Sequence, residues 1–195
     1  MTDSYFMHEV MNMSKTAVLL MADGVEEIEA IVPYDLLNRA GIKTTLVSVQ
    51  NKTSAKGNMG AEFTGLTPMK DIDFSGVDAL VVPGGDAYAI MKDDPAVLEQ
   101  IKEFGGNSDK VLGAICAGAA IPGQLGLYRN RPYTCVPGLN GDFGGTYKKE
   151  HAVIDGNIVT GISVGGAFEF AFDLIQVILG KEAARKLKAD TCYSL

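Results

Sequence analysis

Short apolar segments alternate with longer amphipathic segments along this chain from Thr16 onward. Near-continuous apolar segments are typical of strands that are buried on both faces, and the segments between them have the spacing of helices. The predicted strands are residues 17–21, 44–49, 79–82, 111–115, 132–136 and 158–160. The predicted helices are residues 26–40, a helix that begins at Asp94-Pro95, residues 166–179 and residues 181–188.

Strands separated by helices predict an α/β fold with a mainly parallel sheet and helices on both of its faces. Hairpins are also expected in the glycine-rich stretch 57–65 and around Asp155-Gly156. With 195 residues and 47% hydrophobic content, the chain is long and apolar enough for one packed core. We therefore expect one domain over residues 15–195, preceded by an N-terminal extension over residues 1–14.

The charge and the apolar runs exclude several classes of function. The formal net charge is −7, which disfavours nucleic acid as a partner because that binding depends on clustered lysine and arginine. No apolar run reaches the length of a membrane span, and the first residues lack the features of a secretory signal. The expected location is the cytoplasm.

The cysteines and histidines give no sign of a disulfide framework or a metal centre. Cys116, Cys135 and Cys192 are odd in number and widely spaced, which predicts reduced thiols in a chain without an export signal. The two histidines are His8 and His151, and no Cys or His pair has the spacing of a structural zinc site. His151 is expected in an exposed loop. Neither a metal nor another cofactor is expected.

One cysteine lies where a reactive thiol is expected. The segment Gly113-Ala114-Ile115-Cys116-Ala117-Gly118 indicates a strand, a sharp turn and the start of a helix. A cysteine at such a turn, a nucleophile elbow, points its sulfur away from the core. The free N–H groups of the new helix stabilise a thiolate there and lower the pKa of the thiol. By residue type alone, a cysteine between Ile and Ala is usually a small buried apolar residue, and the loop context favours the reactive thiol instead.

Two further loops are expected beside Cys116. In a parallel sheet, ligands bind beyond the carboxyl ends of the strands, where loops and helix N-termini converge. The loops that share this edge are residues 23–29, 83–85 and 116–118. The candidate chemistry of the chain is therefore concentrated at one edge of the sheet.

This combination of motifs resembles the ThiJ/PfpI superfamily, and within it the branch that contains the parkinsonism-associated deglycase. The resemblance extends from about Lys15 to Lys188 and rests on five motifs in order. They are Gly24-Val25-Glu26-Glu27-Ile28-Glu29-Ala30, Leu37-Asn38-Arg39-Ala40-Gly41-Ile42-Lys43, Val82-Pro83-Gly84-Gly85, Ala114-Ile115-Cys116-Ala117-Gly118 and Phe168-Glu169-Phe170-Ala171. The resemblance implies a flavodoxin-like α/β sandwich that forms homodimers, with Cys116 as the nucleophile and Glu29 as the carboxylic acid beside it.

Physical chemistry suggests a role for each of these residues. A carboxyl beside a thiolate is repelled by it, so the pKa of Glu29 is expected to rise until the group stays protonated and donates a hydrogen bond to the sulfur. The N–H groups of the Gly84-Gly85 turn and of Ala117 are candidates for an oxyanion hole, although Gly84-Gly85 is equally compatible with a plain turn. Glu26 and Glu27 are interpreted as a solvated cluster favoured by the helix dipole.

The chain departs from the family pattern near the nucleophile. Many relatives have a histidine before a proline after the next strand, whereas Val136 precedes Pro137 here. The protease-like branch often has a histidine directly after the cysteine, where this chain has Ala117, so peptidase activity is disfavoured. Basic residues that the family tends to have near Met59 and Ile162 are also missing, which weakens the recognition of an anionic substrate.

Two functions follow from a reactive Cys116. In the first, its sulfur attacks the aldehyde of glyoxal, methylglyoxal or a glycation adduct. The hemithioacetal then rearranges and is hydrolysed to a hydroxy acid, with Glu29 moving the proton. In the second, the protein is an oxidative-stress sensor in which peroxide converts Cys116 to a sulfinate held by protonated Glu29. A chaperone-like dimer with an inert cysteine is a third alternative.

Overall fold

A computed structural model describes residues 15–193, and a seven-stranded sheet lies at its centre. The strands of this sheet are β1 (Thr16–Met21), β2 (Lys43–Ser48), β5 (Thr67–Pro68), β6 (Ala79–Val82), β7 (Val111–Ile115), β10 (Ala152–Asp155) and β11 (Ile158–Gly161). The other strands form two small pairs, which are β3 (Ser54–Lys56) with β4 (Glu62–Thr64) and β8 (Pro132–Tyr133) with β9 (Thr146–Tyr147). The helices are α1 (Glu27–Arg39), α2 (Tyr88–Met91), α3 (Pro95–Gly106), α4 (Ala120–Gln124), α5 (Ala167–Leu179) and α6 (Lys181–Asp190).

The central sheet is parallel except at one edge. Its strand order is β10-β11-β7-β6-β1-β2-β5, and β10 runs antiparallel to β11. Every residue of β6 is buried, as are all residues of β1 after Thr16. Burial on both faces explains why these two strands are apolar throughout instead of alternating with polar residues.

The connections between strands place helices on both faces of the sheet. The step from β1 through α1 to β2 moves toward one edge of the sheet, whereas the step from β6 through α3 to β7 moves toward the other edge. Because crossovers between parallel strands are right-handed, these opposite steps put α1 and α3 on opposite faces. α5 packs against α1 and α6, and α4 packs against α3. The predicted α/β fold with helices on both faces is confirmed.

Most elements predicted from the sequence are confirmed to within two residues at their ends. Both predicted hairpins are present, as β3 with β4 and as β10 with β11, but the first begins three residues before the predicted stretch 57–65. Asp94 caps α3, since its carboxylate accepts hydrogen bonds from the N–H groups of Ala96 and Val97. α2 was not predicted, because a helix of four residues is too short for a helical period to appear.

The strand predicted over residues 132–136 is wrong in its length and in its place. Its first two residues form β8, which pairs with β9 and not with the central sheet. The N–H of Thr134 donates to the hydroxyl of Thr160 at 2.9 Å, and the N–H of Val136 donates to the carbonyl of Cys116 at 3.4 Å. These two N–H groups bond to residues at the carboxyl ends of β11 and β7. They are therefore not available to extend the pairing of β8 with β9.

The loops after β1 and β6 approach each other closely. Val25 forms an isolated antiparallel bridge with Gly85, and the N–H of Glu26 donates to the carbonyl of Gly84 at 3.2 Å. Gly85 has a φ of 78°, and a Cβ atom on it would lie 2.4 Å from the carbonyl oxygen of Gly24, so glycine is required there. β1 and β6 are neighbours that lead to helices on opposite faces, and such a switch point is where α/β folds bind ligands.

No helix among residues 15–193 is long and apolar enough to cross a membrane. The extension expected over residues 1–14 lies outside the described residues, so the division into an extension and one domain stays a prediction. The cytoplasmic location stays a prediction as well.

Candidate active site

Cys116 lies at the carboxyl end of β7, in the turn that leads to α4. Its φ is 59°, in the left-handed region that few residues other than glycine adopt. The N–H of Cys116 donates to the carbonyl of Gly161 at 2.9 Å, which extends the pairing of β7 with β11 and holds this backbone conformation in place. The side chain is half-buried. The sharp turn predicted at Cys116 is therefore present.

Glu29 lies in the first turn of α1 and is fully buried. One carboxyl oxygen, Oε2, accepts a hydrogen bond from the N–H of Gly84 at 3.0 Å. The other oxygen, Oε1, is buried and has no hydrogen-bond partner among the described residues. A proton on Oε1 would turn it into a donor, so this environment favours the protonated carboxyl.

Gly84 is the point at which the Glu29 carboxyl, the Cys116 side chain and the backbone N–H of Ala117 come together, with Ala117 three residues before α4 begins. A Cβ atom placed on Gly84 would lie 2.8 Å from Oε2 of Glu29, from Cβ of Cys116 and from the backbone nitrogen of Ala117. A residue without a side chain therefore allows these three groups to adjoin. The carboxyl and the thiol are close enough to affect each other's pKa values through a hydrogen bond. Oε1 nevertheless has no hydrogen-bond partner at the usual distance and angle among the described residues.

Burial governs the electrostatics of the Glu29 and Cys116 pair. Burial raises the pKa of Glu29 to about 7, against the opposing effect of hydrogen bonds from Cys116 and Gly84. Burial also raises the pKa of Cys116 to about 12, and the charge of the Glu29 carboxylate adds to this rise. The hydroxyl of Ser163 and the N–H of Ala117 act in the opposite direction and lower the pKa of the thiol.

The raised pKa expected for Glu29 is confirmed, but its main cause is burial and not repulsion by a thiolate. The low pKa expected for the Cys116 thiol is wrong, because burial and the neighbouring carboxylate outweigh the donors around the sulfur. Two charges on the pair are strongly disfavoured, so over a wide pH range the pair holds one negative charge and one proton. Its two forms, carboxylic acid with thiolate and carboxylate with thiol, differ only in where that proton lies.

The three N–H groups expected to form an oxyanion hole differ in their bonding. The N–H of Gly84 already donates to Glu29, so it is not available to a reacting oxygen. The N–H of Ala117 acts on the sulfur of Cys116. The N–H of Gly85 has no hydrogen-bond acceptor within residues 15–193, and Gly85 is half-buried. The candidate anion site therefore loses Gly84 and keeps the open N–H of Gly85, with the N–H of Ala117 released to it only when the sulfur is no longer charged.

Ser163 is a residue of the site that sequence reasoning missed. Its Oγ lies 3.6 Å from the sulfur of Cys116, a contact in which either atom is able to donate a hydrogen bond. Ser163 follows β11, and the parallel pairing of β11 with β7 brings the carboxyl ends of both strands to the same edge. The position of Ser163 just after β11 was the available signal, because β11 ends at the same edge of the sheet as β7, beside the loop that holds Cys116.

The other thiol and histidine candidates occupy different environments. Val136 lies next to Cys116 through its backbone hydrogen bond, but its side chain is unable to carry a proton. Cys135 is buried, which raises the pKa of its thiol to about 11, and its sulfur donates to the carbonyl of Val136 at 3.4 Å. His151 is exposed, as predicted. In the described part of the chain, no group of three or more His, Cys, Asp or Glu side chains is arranged to hold a metal ion.

Glu26 and Glu27 are not the solvated cluster that the sequence predicts, because both are half-buried and hydrogen-bonded. Glu26 caps α1, with its carboxylate accepting from the N–H of Glu29 at 2.8 Å. Glu27 accepts from the N–H groups of Met59 at 2.7 Å and Ala61 at 3.3 Å, which ties α1 to the β3-β4 hairpin. Burial raises the pKa of Glu27, but these donors outweigh burial and lower the pKa overall.

Comparison of this chain with known proteins agrees with the fold and the site described above. A model of the DJ-1/PfpI family matches residues 15–177. The chain belongs to the DJ-1/PfpI family. The Parkinson disease protein 7 homolog of Danio rerio is 30% identical over 181 residues, which cover 90% of this chain and 95% of that protein.

Two further DJ-1/PfpI relatives cover nearly all of the described chain. The glutathione-independent glyoxalase DJR-1.2 of Caenorhabditis elegans is 29% identical over 180 residues, which cover 91% of this chain and 95% of that protein. The solved structure of oxidized DJ-1 from Toxoplasma gondii has a TM-score of 0.84 and 25% identity, and covers 93% of this chain and 100% of its own. The resemblance inferred from five motifs and the flavodoxin-like fold are thus both confirmed.

Replacing Glu29 by glutamine tests its raised pKa through the stability of the protein. A carboxyl with a pKa of 4.5 when unfolded and about 7 when folded binds its proton more tightly in the folded protein. This contribution to stability is fully present below the unfolded pKa and is lost as the pH rises through the folded pKa. Relative to Glu29→Gln, we expect the wild type to lose about 3 kcal/mol of unfolding free energy across this window, measured by urea denaturation.

Glu99→Gln is the matched control, since it changes an exposed glutamate of α3 in the same way. Its unfolding free energy should follow the wild type at every pH. A Glu29→Gln curve that runs parallel to the wild type over the same window would show that Glu29 ionises normally in the folded protein.

Proposed function

We propose that this DJ-1/PfpI protein is a cysteine-dependent glyoxalase or deglycase that acts on small dicarbonyls or their adducts without a cofactor. The observation that best supports the proposal is the buried carboxyl of Glu29 beside the thiol of Cys116, with Oε1 lacking a hydrogen-bond partner among residues 15–193. A nucleophile and a proton carrier are the two groups that the reaction needs. The glyoxalase name of the Caenorhabditis elegans relative agrees with this chemistry.

The first step joins the sulfur of Cys116 to the aldehyde carbon of the dicarbonyl. The thiolate forms the C–S bond while the π electrons of the carbonyl move to its oxygen, which takes the proton from Glu29. The N–H groups of Gly85 and Ala117 stabilise this oxygen while it carries charge. The product is a hemithioacetal beside a Glu29 carboxylate.

The second step exchanges the oxidation states of two neighbouring carbons. The Glu29 carboxylate removes the proton from the hemithioacetal carbon and returns it to the adjacent carbonyl carbon, while a hydroxyl proton passes from the first oxygen to the second. The first carbon is oxidised to a thioester and the second is reduced to an alcohol, so no external oxidant or reductant is needed. Water then cleaves the thioester C–S bond, which releases a 2-hydroxy acid and restores the thiol.

Glu29 has the properties that this proton transfer requires. Its pKa of about 7 lies near neutral pH, where one group is able both to accept and to donate a proton. Val136 bonds to Cys116 through its backbone and Ile162 precedes Ser163 in the chain, and the side chains of both are apolar. Uncharged dicarbonyls such as glyoxal and methylglyoxal are therefore favoured over acidic adducts as substrates.

The loss of methylglyoxal, measured with the wild type and with single variants, tests this proposal. Cys116→Ser should lower kcat/KM by about a hundredfold or more, because a hydroxyl is a much weaker nucleophile than a thiolate. Glu29→Gln should lower kcat by about a hundredfold, because the amide is unable to carry the proton. Cys192→Ser changes an exposed cysteine and should keep the wild-type rate. Equal rates for the wild type and Cys116→Ser would overturn the proposal.

An oxidative-stress sensor is the second function that the site supports. Cys116 is half-buried. Three hydrogen-bond donors lie around its sulfur and are able to bind added oxygen atoms: the N–H of Ala117, the hydroxyl of Ser163 and a protonated Glu29. Each peroxide molecule transfers one oxygen atom to the sulfur and leaves as water, so two molecules convert the thiolate to a sulfinate. The Toxoplasma gondii relative was solved in an oxidized form.

The intact mass of the protein after mild peroxide treatment tests the sensor function. We expect a gain of two oxygen atoms, located at Cys116 by peptide mapping, and no gain at the buried Cys135. Cys116→Ser should remain unmodified under the same conditions. Oxidation spread evenly over the three thiols would contradict a sensor role. A Cys116 that is inert in this assay and in the methylglyoxal assay would favour the chaperone-like alternative.

We also propose that the protein forms a homodimer through α1 and α5, the state that the family resemblance implies. The two helices pack against each other and carry exposed large apolar side chains, Ile28 and Ile31 on α1 and Phe168 on α5. About half of each side chain is exposed, with values of 47%, 48% and 47%. Apolar side chains gain about 1.5–3 kcal/mol each on full burial, so a second copy of this face is a suitable partner.

Sedimentation equilibrium with Ile31→Glu tests the dimer. A carboxylate in an apolar contact loses its hydration, so this variant should shift the measured mass from that of a dimer toward that of a monomer. Leu139→Glu makes the same change at a leucine of similar exposure, 37%, away from both helices, and should leave the mass unchanged. A wild-type protein with the mass of a monomer would contradict the dimer.

A further inference from the structure

The hydroxyl of Ser163 is the nearest neutral side-chain donor to the sulfur of Cys116 within the described residues. The two atoms, Oγ and Sγ, are 3.6 Å apart, and Oγ has no other hydrogen-bond partner in this part of the chain. The side chain of Val136 is apolar, and Val136 contacts Cys116 through its backbone N–H. Besides the Glu29 carboxyl, Ser163 is therefore the side chain that is placed to respond to the charge of the sulfur.

The backbone around Ser163 holds this hydroxyl in place. On one side, the N–H of Ile162 donates to the carbonyl of His151 at 3.0 Å. On the other side, the N–H of Gly166 donates to the carbonyl of Ser163 at 2.8 Å. The N–H of Cys116 bonds to β11 only two residues before Ser163. The distance between the hydroxyl and the sulfur is therefore set by the pairing of β7 with β11.

A neutral donor suits a pair that shares one proton. The charged groups that act on the pair are carboxylates, Glu29 itself and Glu26, which repels it. A cation beside the sulfur would stabilise the Glu29 carboxylate as well as the thiolate, because a full charge acts over several ångströms in all directions. The hydrogen bond of a hydroxyl acts on the atom it contacts, so it stabilises the thiolate without favouring ionisation of Glu29.

We propose that Ser163 is a catalytic residue of this site, whose hydroxyl donates a hydrogen bond to the Cys116 thiolate and so shifts the shared proton from the sulfur toward Glu29. Its use in turnover rests on the proposed function, whereas the hydrogen bond itself does not. Once the sulfur is bonded to carbon it no longer carries charge, and the hydrogen bond weakens. Ser163 therefore acts before the attack, by increasing the share of the pair that is present as thiolate and carboxylic acid.

Alkylation of Cys116 by iodoacetamide across a range of pH tests this role, because the reagent reacts with the thiolate. Ser163→Ala removes only the hydroxyl and should lower the alkylation rate near neutral pH by about tenfold, with the pH profile displaced to higher pH. Ser163→Thr keeps a hydroxyl, and its branched side chain suits the extended backbone of Ser163, where φ is −179°. The threonine variant should keep the wild-type profile.

Peptide mass spectrometry assigns the label, and the exposed Cys192 serves as an internal standard in every sample. Thermal unfolding confirms that both variants are folded, which is expected because Ser163 is half-buried. A Ser163→Ala profile that overlays the wild type would overturn the role, and so would a Ser163→Thr profile displaced as far as that of Ser163→Ala. The alkylation profile of Ser163→Ala could be displaced in a protein whose wild type does not consume methylglyoxal. That combination would support the hydrogen bond and overturn only the glyoxalase function.

Discussion

The burial of the Glu29 carboxyl beside the sulfur of Cys116 is the constraint on which the rest of the site depends. A carboxylate away from water with only part of its hydrogen bonds is unfavourable, so its pKa rises to about 7. For the same reason a second charge on the sulfur is disfavoured, and the pair keeps one proton over a wide range of pH. The nucleophile and the carboxyl therefore do not readily ionise together, and ionisation of one raises the pKa of the other.

The fold brings this pair together from segments that are far apart in the chain. α1 carries Glu29, the turn after β6 supplies the N–H of Gly84, and the turn after β7 carries Cys116. β1 and β6 are neighbours whose helices lie on opposite faces, which makes their carboxyl ends a switch point of the kind where α/β folds bind ligands. Glycine at Gly84 and Gly85 then allows the backbone of one loop to contact the other.

A neutral donor and an apolar residue lie beside Cys116. The hydroxyl of Ser163 is 3.6 Å from the sulfur, and Val136 bonds to Cys116 through its backbone N–H. Because the Ser163 hydroxyl does not titrate near neutral pH, Glu29 is the proton carrier in the function we propose. Dicarbonyl chemistry and oxidation by peroxide both begin with the thiolate form of Cys116, so both depend on how these groups share the proton.

The sequence by itself determined the elements and the family. Apolar runs identify β1, β6 and β7, a glycine ends α1, and the five motifs around Cys116 and Glu29 identify the DJ-1/PfpI family, because each of these signals is local. Only the tertiary structure decided that the thiol has a raised pKa, that Gly84 is bonded to Glu29 and that Ser163 contacts the sulfur. These features depend on burial and on contacts between distant segments, which no local pattern of residues encodes.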